Sequence, residues 1–274
     1  MFNLIKMDFY RLFRSKTLKV GLIAAAIVAF SGMLLNLGVL EIMKLADIEN
    51  DPAGAESMGF IFPVIAWLGG VDFADVVLTG TNALALFVSC MMVASFIGAE
   101  QSCGYVKNIA GQLPNRGTTV ISKYIVTCVV QLMVIIVYTI VASLCAGLFF
   151  SSYIKGHNIG ALVAGLALRF LLFCAVNAVV IFFCTLTKSH SIAMVVGAIF
   201  GIGVTGLVYL AANALLSMLK ISVNLADFMP DGINGLINVS NLGTIAVKAI
   251  VVSVVFIAGF LISAVILFKK RDVK

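Results

Sequence analysis

Charge is scarce in this chain. Only 11% of its 274 residues are Asp, Glu, Lys or Arg, 62% are hydrophobic, and the mean hydropathy is +1.16. Soluble globular domains carry about 25% charged residues, so an ordinary water-soluble fold is excluded and a polytopic membrane protein is left. No charged stretch is long enough to fold alone, and residues 1–274 read as a single transmembrane domain. Other absences narrow the chemistry. No Gly-Lys dipeptide occurs, which removes the GxxxxGK[ST] phosphate loop and with it ATP binding of that kind. The two histidines, His157 and His190, fall at loop positions, and there is no HExxH. No Ser/His or paired-Asp arrangement stands out within the apolar runs, so no catalytic residue and no enzyme are expected. Cys90, Cys103, Cys128, Cys145, Cys174 and Cys184 include no CxxC pair. They read as small buried apolar residues, with neither a disulfide framework nor a metal site.

What is present is a series of long uncharged runs. A membrane core takes about 20 helical residues, and six segments meet that length: 20–40, 76–99, 124–150, 160–187, 191–219 and 249–268. The expected fold is therefore all-α with six transmembrane helices. Val20 to Leu40 is too long for a signal-peptide core and lacks a small-x-small exit, so it reads as an uncleaved span. Ahead of it, residues 1–19 place Phe2, Ile5, Phe9, Leu12 and Phe13 within about 100° on a helical wheel, with Arg11 and Arg14 on the other side. That pattern predicts an interfacial amphipathic helix on anionic lipid; a plain basic flank to span one is the alternative. Between spans one and two the chain is acidic. Within it, Gly59 to Gly70 is apolar but too short to cross, and a re-entrant or interfacial element is expected there with Trp67 at headgroup level. Pro230, Gly232, Gly235 and Gly243 predict a second half-inserted element between spans five and six.

Arg169 falls in span four. At about 1.5 Å per residue it lies about 28 Å from Lys188, so its guanidinium is expected to emerge at the far interface, with a place in a translocation path as the alternative. Most of the Lys and Arg residues lie in the N-terminal segment, between Glu100 and Lys123, at Lys188 and in the C-terminal tail, whereas most acids lie on the other side. The positive-inside rule then puts both termini in the cytoplasm.

One polar stretch separates spans two and three, EQSCGYVKNIAGQLPNRGTTVISK from Glu100 to Lys123. It must face water or a soluble partner. Its Glu100, Gly104, Lys107 and Asn108 form an E-x3-G-x2-KN pattern, with Arg116 and Lys123 leading into span three. Together with the basic amphipathic start and the six-span layout, this resembles the permease subunits of the type-2 ATP-binding-cassette exporter family, particularly the short bacterial ones. The resemblance covers the whole chain in architecture and this stretch in sequence. It implies that the stretch forms a coupling helix, with Glu100, Gly104, Tyr105, Lys107, Asn108, Arg116 and Lys123 addressing a separate ATPase subunit. ATP and Mg would then be held by that partner, and no cofactor by this chain. It further implies a homo- or heterodimer of permease chains in the bacterial plasma membrane, with spans one and five meeting across the dimer axis. The GxxxG of Gly197 and Gly201, followed by Gly203 and Gly206, suits that axis, and internal packing is the alternative.

The cargo is not written in the residues. Asn36, Asn82, Gln131, Asn177 and Asn213 either line a path or hydrogen-bond between helices. Two apolar bundles with few charges suit an amphipathic or hydrophobic substrate, and the resemblance implies peptide antibiotics, toxin peptides or drugs, with antimicrobial-peptide resistance as the setting. The partners expected are the ATPase, a second permease and lipid, with no nucleic acid. An ATPase-independent secondary transporter and a non-transporting scaffold or sensor partner stand as alternatives. Against the carrier, spans one, two, three, five and six hold no Asp or Glu, the usual coupling-ion groups.

Overall fold

Backbone polar groups in hydrocarbon must be satisfied within their own segment, and helices do this. The structure, a computed structural model, describes residues 2–45, 70–80, 83–102, 117–187, 189–218 and 224–270. In chain order the helices are α1 (Phe2–Arg14), α2 (Lys16–Leu45), α3 (Phe73–Gly80), α4 (Ala83–Ser102), α5 (Gly117–Phe149), α6 (Ile159–Thr187), α7 (His190–Ile202), α8 (Val204–Met218), α9 (Pro230–Gly235) and α10 (Leu242–Lys270). Among the described residues, five stretches are long and apolar enough to cross a membrane: Lys16–Glu41, Phe73–Gly98, Gly117–Phe149, Ile159–Thr187 and Val239–Lys270. A sixth is reached if the bent pair Ser191–Ile202 and Val204–Met218 is one span. The expected element at Gly59 to Gly70, Trp67 included, falls outside the described residues except for Gly70.

Span five departs from the continuous helix predicted over 191–219. Its two halves, α7 and α8, meet at 68°. The break is at Gly203, which caps α7 with φ +82°, a left-handed conformation open to glycine and costly for other residues. Span three begins at Gly117 rather than at Tyr124, so Lys123 lies on α5. Span six begins at Leu242, and Lys248 on it pairs with Asp227 at 3.2 Å.

Helix α6 joins two of the three cores. Its Phe173, Val176, Val180 and Cys184 enter a cluster with residues of α2, α4, α5 and α7, while Leu168 and Leu172 meet Leu78, Ile233, Ile237 and Ala249 from α3, the α9 region and α10. The third cluster, with Met33, Leu40, Val76, Ala146, Phe150 and Tyr153, closes the end of the bundle away from the termini. Two short strands finish that end, β1 (Val71–Asp72) paired in parallel with β2 (Ile154–Gly156). The Val71 N–H donates to the Tyr153 carbonyl at 3.0 Å, and the Tyr153 hydroxyl donates to Glu41 at 3.3 Å, tying spans one, two and three. Asp75 on α3 accepts the backbone N–H of Val239, just before α10, at 2.8 Å. Opposite these contacts, Val20, Ile23 and Ile27 on α2 and Val247, Val251, Val254 and Val255 on α10 are exposed, an apolar surface suited to lipid.

The GxxxG face packs within the chain, the alternative weighed for it in the sequence. A Cβ on Gly197 would come within 2.9 Å of the Cys90 Cβ, and one on Gly201 would collide with the backbone of Phe87. The absent side chains let α7 and α4 touch. Gly201→Leu is expected to lower stability by about 1–3 kcal/mol or more through overpacking, whereas Gly259→Leu on α10, where an added Cβ meets nothing within 4 Å, leaves it unchanged. Thermal unfolding of the detergent-purified variants measures both.

Candidate functional site

Sequence-predicted residues gather at both ends of the bundle. At the end that carries the termini, Leu4, Asp8 and Leu12 recur along one face of α1 and are all buried. Asp8, only 2% exposed, accepts a hydrogen bond from the Ser122 hydroxyl on α5 at 2.6 Å, the length of a charge-assisted bond. Lys123, the next residue, is buried as well. Ser15 turns the chain: its N–H donates to the Leu12 carbonyl at 3.0 Å, and its hydroxyl accepts the Leu18 N–H at 3.2 Å to start α2.

The face of α1 that packs on protein, through Leu4, Asp8 and Leu12, is distinct from the apolar face expected to meet lipid, with Leu12 shared. Leu12 is buried and Ile5 and Phe9 are half-buried, but Phe13 is exposed. Arg11 is half-buried, and Arg14 is exposed and donates to the Tyr10 hydroxyl at 2.8 Å. The side chain of Phe2 lies outside the described residues. A hydrophobic count leaves Asp8 off the packing face, because its partner is more than a hundred residues away. Of the coupling residues, Glu100 is placed by its backbone in the last turn of α4. Gly104, Tyr105, Lys107, Asn108 and Arg116 lie outside the described residues.

Between the two ends, Asn177 donates to Thr127 at 2.8 Å across α6 and α5, and the Tyr124 hydroxyl donates to the Cys174 carbonyl at 3.3 Å. Asn177 is thus a helix-to-helix contact. Gln131 is fully buried, and neither end of its amide meets a partner. Asn36 is half-buried on α2, and Asn82 lies outside the described residues.

Arg169 does not reach the far interface. It is 1% exposed, its Nε donates to Asn234 Oδ1 at 3.0 Å, and its Nη1 donates to the Leu78 carbonyl. Both acceptors have a physical origin. The Leu78 carbonyl is presented by α3, whose Ala74, Val76, Val77 and Leu78 are buried. Asn234 is delivered by α9, which folds back over the bundle. Polar acceptors inside the protein replace the expected stretch to water.

Beside this contact, α4, α8 and α9 enclose an open cleft of about 460 Å³. Its apolar wall includes Leu86, Phe200 and Leu210, and its polar wall includes Thr205, Tyr209, Asn213 and Asp231. The Asp231 carboxylate accepts from the Tyr209 hydroxyl at 2.7 Å and from the Thr205 hydroxyl. Asn213 donates to Asn224 at 2.7 Å and accepts the Leu225 N–H at 3.0 Å. Nonlocal polar bonds therefore clamp α8 onto the segment before α10. The bend of span five made this site, and the only sequence signal was Gly203 standing out of step with Gly197 and Gly201. Among the described residues, no group of three or more His, Cys, Asp or Glu is placed to hold a metal ion.

Arg169→Lys presents a point charge where a planar fork bridges two acceptors, so one of the two bonds is lost. Hydrogen bonds to charged groups contribute about 1.5–3 kcal/mol each, and a fall of that size in unfolding free energy is expected for Arg169→Lys, with a larger fall for Arg169→Ala. At the other end, Asp8→Ala is expected to loosen α1 and speed tryptic cleavage after Arg11 and Arg14, read by mass spectrometry of the folded protein. No protein-family model matches the chain, and no curated protein matches it.

Proposed function

We propose that the chain is the transmembrane subunit of an ABC exporter in the bacterial plasma membrane, with both termini cytoplasmic. ATP and Mg bind a separate ATPase, and two permease chains, identical or not, form the membrane unit. The cargo is an amphipathic or hydrophobic molecule such as a peptide antibiotic, a toxin peptide or a drug. The observation that supports this best is the Asp8–Ser122 bond. It locks α1 to the first turns of α5, the helix that leads out of the Glu100 to Lys123 corner. A push delivered at that corner then moves α1 and the 33-residue α5 as one body, the rigid element that mechanical coupling requires. The basic face of α1 rests on anionic headgroups and guides that motion.

A second reading, an ATPase-independent carrier, draws on the break at Gly203. Discontinuous helices beside polar groups are a recurring device of secondary transporters, and here Asp231 stands next to one.

Affinity purification from host membranes separates the two. On the exporter reading a P-loop ATPase co-isolates with the chain, and Gly104→Trp or Lys107→Glu removes most of it together with its stimulated hydrolysis. Asp8→Ala retains the ATPase but loses stimulation. Ion-gradient-driven uptake by the chain alone in liposomes, with no ATPase bound, overturns the exporter reading in favour of the carrier.

A further inference from the structure

The cleft at the broken span has a composition that selects a ligand class. Its walls are mostly apolar, and among the described residues one carboxylate and no Lys, Arg or His lines it. Arg169 stands behind Asn234, fully buried and directed at the Leu78 carbonyl, so its guanidinium is not part of the wall. The neighbouring cation Lys248 is engaged with Asp227. The carboxylate of Asp231 is held in place by two hydroxyls, from Thr205 and Tyr209. A carboxylate has about four lone-pair sites, so two donors fix its orientation and leave acceptor capacity for a third group. The ring of Tyr209 adds an aromatic surface beside the same carboxylate, which favours a cation. The space of about 460 Å³ lies within the range of small-molecule sites, about 300–1,000 Å³.

We propose that this cleft binds an amphiphilic cation, an ammonium group carrying an apolar chain or ring system, with Asp231 as its counter-ion and Leu86, Phe200 and Leu210 against its apolar part. Anionic and neutral amphiphiles of the same shape are disfavoured, the first by charge and the second because they leave the carboxylate without a cation in a partly desolvated site. The site gives a chemical class to the cargo of the exporter reading. The binding itself rests only on the cleft and holds whether or not an ATPase drives transport.

The test uses the full chain alone, in nanodiscs of phosphatidylcholine, so that failure of the ATPase reading leaves it interpretable. The probe is decylamine carrying a diazirine on its alkyl chain. On irradiation the label is expected on peptides spanning 200–213 and 224–236, displaced by excess decylamine and not by decanoate or decanol. Losing a charged hydrogen-bond partner corresponds to about tenfold or more in affinity, so Asp231→Asn is expected to weaken labelling by about that factor, while Asp72→Asn on β1 leaves it unchanged. Because Asp231 also anchors Thr205 and Tyr209, a second variant keeps those bonds. Gly206 lines the cleft, and an added Cβ there meets nothing within 4 Å, so Gly206→Phe fills the space and is expected to abolish labelling of a protein with an unchanged melting temperature. Equal displacement by decanoate, or labelling of these peptides that survives Gly206→Phe in the folded protein, overturns the proposal.

Discussion

A guanidinium held inside an apolar bundle is costly unless its donors find acceptors, and meeting that demand shapes the half of the structure farther from the termini. Arg169 ties both α3, through the Leu78 carbonyl, and the short α9, through Asn234, to α6. The second of these contacts requires the chain between spans five and six to fold back against the bundle. Once α9 is in place, Asp231 and the preceding turn can grip α8 and hold it away from the line of α7. The bend at Gly203 and the cleft beside it thus belong to the same arrangement that accommodates one charge.

The opposite end is organised on the same principle by an acid. Asp8 is buried with Ser122 as a hydrogen-bond donor, and α1 is fixed to α5 there rather than held by apolar contact alone. Polar pairs carry this weight because lipid tails are as apolar as Leu, so burial supplies little preference for one helix pairing over another. Packing of small residues does the rest, as where Gly197 and Gly201 admit α4. Thr127 and Asn177 are a further register contact between α5 and α6, while the unpartnered amide of Gln131 marks a place where the interior is less fully matched.

Much of the helical layout was legible because its cause is local. An uncharged run of sufficient length has one stable form in hydrocarbon, and five runs between Lys16 and Lys270 take that form. The failures share a nonlocal cause. Asp8 and Asp231 carry no signal of their own, and Arg169 reads as a snorkelling or path-lining charge, until their partners, tens to more than a hundred residues away, are known. Gly203 was counted with its neighbours as part of a packing stripe, although its spacing from Gly201 breaks the four-residue repeat. The functional reading depended on the corner between spans two and three, whose pattern is visible in sequence and whose central residues fall outside those described. The cleft could not be read in advance, since it exists only when α4, α8 and α9 are brought together.

The hydrogen bond from the Val239 amide to Asp75 links two helices that are far apart in the chain and lie near the same end of the bundle. It joins a side chain to a main-chain group just ahead of α10, so sliding that helix along its axis would strip a half-buried carboxylate of a donor. The last helix and α3 are therefore geared to each other. A stroke that displaces one must drag the other, and independent piston motion of the C-terminal helix is not among the movements this bundle makes cheaply.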